Sequence, residues 1–190
     1  MLFSCGETEL TTEEKFTAIV NAKTPTKITT IYSYTLASGE TVSSTYITEI
    51  DGENFIFEYT KQSFADLGAE SDVETVHGFV YYKDGKYSTD MEVWFTEAPA
   101  VDAIDVKLDL DLTKIASYEI SDDLQTLTAT LTKAELKAVL GVDVSAEEVS
   151  LTVKNNGTYL TTVSVSYETA SGATVQLDTS YTYNVVNLYD

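Results

Sequence analysis

The sequence predicts a mainly β (α+β) fold with antiparallel strands, about ten or eleven in number, and two short helices. Tyr is abundant (13 of 190 residues), as is Thr, while Pro is scarce (2), and Tyr and Thr favour half-buried pleated surfaces. Alternating apolar and polar segments recur along the chain. Short turns join these segments, which makes neighbouring strands antiparallel. The length and a hydrophobic fraction of 43% fit one domain with a real core.

A short helix is expected to open the domain. Thr11 and Glu14 have the spacing of a capping box, and Phe16 and Val20 then fall on one face. The helix should end before Pro25, because proline cannot continue a helix.

The N-terminal half of the chain reads as a series of hairpins. Asp51-Gly52 and Asp84-Gly85 lie between alternating segments and indicate tight turns. Residues 61–74 are polar, and we expect them to be irregular with a helical turn near 64–67. The predicted strands are 28–36, 41–50, 54–59, 76–83, 86–89 and 91–96, the last carrying Trp94.

The C-terminal half begins with the clearest alternation in the chain, at 104–112, which predicts a strand with one buried and one solvated side. Thr132 and Glu135 form a second capping box ahead of a helix over Lys133–Leu140, which Gly141 should end. The other predicted strands are 118–120, 124–131, 149–154, 159–168 and 173–185.

The charge balance excludes some partners. The chain has 31 acidic and 11 basic residues and a formal net charge of -20. Such a surface repels nucleic acid and anionic bilayers. The acidity serves solubility or weak cation binding; Asp105, Asp109 and Asp111 share one strand face that is either solvated or able to hold a weak Ca²⁺.

Catalytic chemistry is not expected. The chain has one histidine, His77, and one cysteine, Cys5. Neither has a partner of the kind that a nucleophile–base pair or a zinc site needs. We therefore predict no enzyme activity, no cofactor and no metal site.

Leu2-Phe3-Ser4-Cys5 resembles a bacterial lipobox. The resemblance implies a diacylglycerol on Cys5 and a place on the extracytoplasmic face of a bacterial cell membrane. Residues 1–10 would then be a lipobox remnant and tether, and 11–190 the folded domain. The charged and apolar regions of a signal peptide do not precede Cys5 here, so we expect translation to start upstream of Met1. The alternative is a stray thiol in a frayed terminus.

The layout of the domain resembles the LolA-like lipoprotein carriers, most closely the LppX/LprG type. The likeness lies in the aromatic strand and Asp-Gly turn of 79–87, in Trp94-Phe95 after it, in the mid-chain helix 132–140, and in the final pair 167–179. It implies a strongly curved sheet, a half-barrel, wrapped on two short helices around an apolar cavity for acyl chains.

The leading hypothesis is therefore a membrane-tethered monomer that binds or carries a lipid or other amphiphile. The candidate lining residues are Phe55, Phe57, Tyr59, Val80, Tyr82, Phe95, Val106, Leu108 and Leu110. The alternative is a structural or interaction module of the cell envelope without a ligand, in which the same side chains form core. Thr30, Tyr32 and Tyr34 on a predicted inward face suit a smaller amphiphile or none.

Overall fold

The computed structural model describes residues 9–64, 73–100, 111–140, 144, 146–184 and 188–189. These residues form ten strands, two α-helices and one turn of 3-10 helix at Leu112–Lys114. The elements in chain order are α1 (Thr12–Val20), β1 (Lys27–Thr35), β2 (Thr41–Asp51), β3 (Asn54–Phe64), β4 (Val73–Lys83), β5 (Lys86–Ser88), β6 (Tyr118–Ile120), β7 (Thr126–Thr132), α2 (Lys133–Leu140), β8 (Glu148–Asn155), β9 (Leu160–Glu168) and β10 (Thr174–Thr182).

The ten strands form one open, curved antiparallel sheet in the order β5-β4-β3-β2-β1-β10-β9-β8-β7-β6. It consists of two meanders, β1–β5 and β6–β10, that meet where β1 pairs with β10. The predicted fold class is confirmed.

The β1–β10 junction pairs every residue of both strands, from Lys27 opposite Thr182 to Thr35 opposite Thr174. Near its middle the hydroxyls of Thr30 and Thr179 are 3.0 Å apart. Both residues are buried, with 2% and 1% exposure. Each hydroxyl thus supplies the partner that the other needs once water is excluded.

Both helices pack on the C-terminal half of the sheet. Phe16 and Val20 of α1 and Leu136 and Val139 of α2 lie in the main core with apolar residues of β7 to β10. Alternation along these strands turns one side inward, and buried Val149, Leu151 and Val153 of β8 show it. The strand members of this core are Leu127, Leu131, Val149, Leu151, Val153, Leu160, Val163, Val165 and Leu177.

Both predicted capping boxes are present. In α1 the Thr11 amide donates to Glu14 Oε2 at 2.8 Å, and the Glu14 amide donates to Thr11 Oγ1 at 3.2 Å. In α2 the Thr132 amide and hydroxyl each donate to Glu135 Oε2 at 2.7 Å. These bonds, with one from the Ala116 amide, hold the pKa of the Glu135 carboxyl below its usual value.

The strand predicted at 91–96 is wrong. Ser88 and Asp90 redirect the chain there: Asp90 Oδ1 accepts from the amides of Glu92 at 2.9 Å and Val93 at 3.0 Å, and Met91 has a φ of 64°. A carboxylate that captures the amides two and three residues ahead makes a turn. Of the predicted strand, one bridge between Phe95 and Tyr87 remains.

Residues 61–64 are strand, not the irregular segment or helical turn that the sequence predicted. They extend β3, and their partners in β4 include Val76 opposite Lys61 and Val73 opposite Phe64. Pairing with β4 overrides the polar composition, because a ladder satisfies backbone groups whatever the side chains. Residues 65–67 lie outside the described residues.

Other boundaries shift at turns. β7 begins at Thr126 rather than 124, since Leu124 has a φ of 59° and belongs to the turn. Leu112 begins a 3-10 turn instead of ending a strand. Asp111 precedes this turn as its N-cap, and its side chain accepts from the Thr113 backbone N–H. Residues 104–110 of the predicted strand, including Asp105 and Asp109, fall outside the described residues, as do Gly141 and residue 185.

We expect the Thr30–Thr179 hydroxyl pair to show strong coupling. Thr30→Val or Thr179→Val alone leaves one buried hydroxyl without a partner and should cost about 1–3 kcal/mol. The double substitution removes both groups and should cost clearly less than the sum. Urea unfolding of the four proteins gives the coupling energy, and additive losses would show that the two hydroxyls act independently.

Candidate functional site

A layer of aromatic side chains lies on the N-terminal half of the sheet, on the side that bears the helices. We call it the aromatic face; its members are Tyr46, Phe55, Phe57, Tyr59, Val80 and Tyr87, with Tyr82, whose ring contacts Phe55 and Tyr87. Tyr32 of β1 packs against both the main core and this cluster, which places the two on one side of the sheet.

Strand register assembles the aromatic face. Phe55 lies opposite Tyr82 and Phe57 opposite Val80 across β3 and β4. Tyr82 in turn lies opposite Tyr87 across the Asp84-Gly85 hairpin. Directly paired residues of antiparallel strands point to the same side, so the alternation of three strands converges on one surface.

The ring contacts of the aromatic face fall into two groups. In one, the ring centroid of Tyr82 lies 5.0 Å from that of Phe55, in a stacked arrangement, and 4.9 Å from that of Tyr87. Phe57 stacks with Tyr59 at 5.8 Å and with Tyr46 at 6.3 Å. These separations fall in the favourable range for aromatic pairs.

Burial divides the aromatic face into a centre and a margin. Tyr46, Phe57 and Val80 are 5–8% exposed, whereas the other rings are half-buried. The helices contact β6, β7, β8 and the 3-10 turn. No residue of the two described helices belongs to the cluster that forms the aromatic face. The margin of the face therefore presents aromatic surface to its surroundings.

Tyr59 lies directly over Gly78, its cross-strand partner. A β-carbon at Gly78 would meet the Tyr59 hydroxyl oxygen and come within 2.6 Å of its Cζ. Glycine in a strand interior often marks such a close approach. Gly78 thus fixes the tilt of the Tyr59 ring at the edge of the aromatic face.

Polar groups border the aromatic face toward β1 and the start of β2. Burial, together with the neighbouring Tyr167, Tyr34 and Tyr46, raises the pKa of Tyr32 to about 12, so its hydroxyl is neutral at physiological pH. The pairing of β2 with β3 ends at Thr45, opposite Thr60. Just before it in the chain, Ser44 Oγ accepts a hydrogen bond from the backbone N–H of Gln62 at 3.0 Å. The aromatic face is therefore amphipathic.

The structure brings together five of the predicted lining residues: Phe55, Phe57, Tyr59, Val80 and Tyr82. Phe95 pairs with Tyr87 through two backbone hydrogen bonds, both 2.8 Å, but it is 55% exposed and is not part of the packed cluster. Val106, Leu108, Leu110 and the predicted lipidation site Cys5 lie outside the described residues.

Sequence reasoning missed Tyr46 and Tyr87. Tyr87 could have been found from the hairpin, because a two-residue Asp-Gly turn places it opposite Tyr82. Tyr46 could have been found from the alternation of Val42, Ser44 and Tyr46, all of which are buried.

His77 lies on the opposite, outer face of the sheet. Its Nε2 is 3.1 Å from Glu58 Oε1, and its ring meets Phe79 edge-on at 4.9 Å. Within the described part of the chain, no three His, Cys, Asp or Glu side chains are grouped to hold a metal ion. No helix described is long and apolar enough to cross a membrane.

Gly78→Ala should destabilise the protein by about 1–3 kcal/mol, because the new methyl displaces the Tyr59 ring. In a Tyr59→Leu background the same change should be neutral or stabilising by about 0.5–1 kcal/mol, since alanine restricts the unfolded chain more than glycine does. Chemical denaturation of the four proteins tests this. Equal costs in both backgrounds would contradict the Tyr59 contact.

No family model matches the sequence, and no curated protein matches it. Among solved structures, the chain is similar to a LolA superfamily protein from Nitrosomonas europaea, with a TM-score of 0.32 and 14% sequence identity. The match covers 92% of this chain and 93% of that one.

Proposed function

We propose that this domain binds an amphiphile whose apolar part lies on the aromatic face. The observation that carries the proposal is a layer of stacked rings with a half-exposed margin, whose cluster includes no residue of the described helices. Contiguous apolar surface left in contact with water marks binding sites on soluble domains.

The energy available is sufficient for useful affinity. A Phe or Tyr side chain buries roughly 150–250 Å² when fully enclosed. Covering about 200 Å² of the exposed margin would stabilise a complex by about 5 kcal/mol before the costs of association. That suits reversible binding of a carried molecule rather than permanent retention.

The charge and the hydrogen-bonding groups of the domain limit the classes of ligand that it can bind. The net charge of -20 disfavours an anionic headgroup. Tyr59, Tyr82 and Tyr87 belong to the aromatic face, and a Tyr hydroxyl can donate to ester, ether or hydroxyl oxygens. We therefore expect a neutral or cationic amphiphile. The proposed role is binding without catalysis.

We further propose that a lipid on Cys5 tethers the domain to the extracytoplasmic face of a bacterial membrane. The support is the Leu2-to-Cys5 pattern and the polar stretch after it. Two acyl chains suffice for stable anchoring at roughly 0.8 kcal/mol for each buried methylene. An acidic domain then stands off from an anionic bilayer, where it can exchange a ligand with the lipid phase.

A ligand-free interaction module of the cell envelope is the second candidate. The observation that favours it is the burial of Tyr46, Phe57 and Val80 by side chains of the protein itself. In that case the aromatic face is a second small core, and its margin needs no occupant.

Binding can be tested with the neutral probe N-phenyl-1-naphthylamine. We expect saturable fluorescence enhancement by the wild type and about tenfold weaker binding by Phe55→Ala, since one aromatic contact is worth about 1.4 kcal/mol. Phe79→Ala is the matched control: Phe79 is half-buried on the neighbouring strand but on the outer face, stacked on Tyr81. Native mass spectrometry after mild extraction should also find a co-purifying amphiphile.

The ligand-free candidate makes the opposite prediction. The probe would then show no saturable enhancement, or Phe55→Ala and Phe79→Ala would reduce it equally.

The tether can be tested by expressing the gene with its upstream DNA in a bacterial host fed with labelled palmitate. We expect label on the wild type, and recovery with membranes that Cys5→Ser abolishes while the domain still folds. A wild-type protein free of label would contradict the lipid anchor and leave the ligand-binding proposal to its own test.

A further inference from the structure

The edge of the sheet along β4 is open over most of its length. β5 pairs with Tyr81, Tyr82 and Lys83. No described residue pairs with the outer side of 73–80. Val73 and Val76 are 47% and 55% exposed, and the residues between and beside them are exposed as far as His77.

This edge lacks the devices that normally protect one. Proteins blunt open edges with short strands, lysine or proline, because unpaired backbone groups recruit other strands. At the opposite end of the sheet, β6 has three residues. From Val73 to Val80, β4 contains neither lysine nor proline, and Glu74 is its one acidic residue.

The hairpin fixes which backbone groups point outward. Asp84 and Gly85 have φ values of 51° and 80°, as in a two-residue type I′ turn, so Lys83 and Lys86 form its hydrogen-bonded closing pair. Backbone groups alternate in direction along a strand. The free N–H and C=O groups therefore belong to Val73, Thr75, His77 and Phe79.

We propose that two copies of this chain pair through β4, antiparallel and centred on Val76. In this register Thr75 of one copy lies opposite His77 of the other, and Val73 opposite Phe79, so outward groups meet outward groups. Val76 lies beside Val76 of the second copy. Both copies use the same residues, as a closed two-fold dimer requires.

The side chains suit this register. It places an apolar pair, Val73 with Phe79, at each end of the outer face and a valine pair on the helix-bearing face. Glu74 lies opposite Gly78, so the two copies of Glu74 do not oppose each other. A two-fold axis perpendicular to the sheet keeps like faces together, and the two aromatic faces then lie side by side in one continuous sheet. The proposal replaces the expectation of a monomer.

Disulfide trapping tests the register in the full chain with Cys5→Ser as background. The Val76 pair is a non-hydrogen-bonded one with Cα atoms about 4.5 Å apart, within the range that a disulfide spans. Val76→Cys should therefore form a covalent dimer in oxidising buffer. Thr75→Cys, whose opposite residue is His77, should not. Equal cross-linking of the two variants, or none, would overturn the proposal.

Sedimentation equilibrium of the wild type and of proline variants provides a second test. Thr75→Pro removes one outward N–H from each copy without disturbing β3, and should raise the dimer dissociation constant by about 30-fold. Thr75→Ala keeps the N–H and should change it little. Higher salt should favour the dimer by screening two chains of net charge -20. A wild type that stays monomeric up to about 1 mM, even in high salt, would contradict pairing.

Discussion

The pairing of β1 with β10 is the interaction on which the rest of the structure depends. It joins two meanders that are otherwise separate ladders, and it aligns their inward faces on one side. The register opposes Tyr32 to Leu177 and Thr30 to Thr179. Tyr32 thereby contacts both apolar clusters. The buried hydroxyls of Thr30 and Thr179 are hydrogen-bonded to each other at the same junction. A slip of one residue would turn every side chain of one half to the wrong face.

The two halves of the sheet have different tasks because the helices cover one of them. The C-terminal half buries most of the large apolar side chains beneath α1 and α2 and supplies most of the hydrophobic stabilisation. In the N-terminal half, the inward-facing hydrophobic residues form an aromatic layer with a half-exposed margin. Stacking between the rings orders this layer without contacts from a helix. Gly78 fixes the position of the Tyr59 ring.

Local features were predictable from the sequence, and long-range ones were not. Both capping boxes and the Asp-Gly hairpins depend on residues a few positions apart. Such features can therefore be predicted from the local sequence. The shared face of Phe55, Phe57, Tyr59, Val80 and Tyr82 followed from strand alternation. The segment 91–96 was wrongly predicted as a strand from its alternating pattern. In the structure the Asp90 carboxylate accepts hydrogen bonds from the backbone amides of Glu92 and Val93 and forms a turn instead. The β1–β10 pairing joins opposite ends of the chain, and no local pattern encodes it.

The same pairing governs when the fold can form. Thr30 and Thr179 are 149 positions apart in the chain, so the central contact of the sheet has a very high contact order and should form slowly. During synthesis, β1 emerges early and cannot pair with β10 until the end of the chain has been made. Until β10 arrives, the chain holds at most two partial sheets. Such a nascent chain stays unfolded longer than one built from local contacts, and an unfolded chain is what the export proposed above would require.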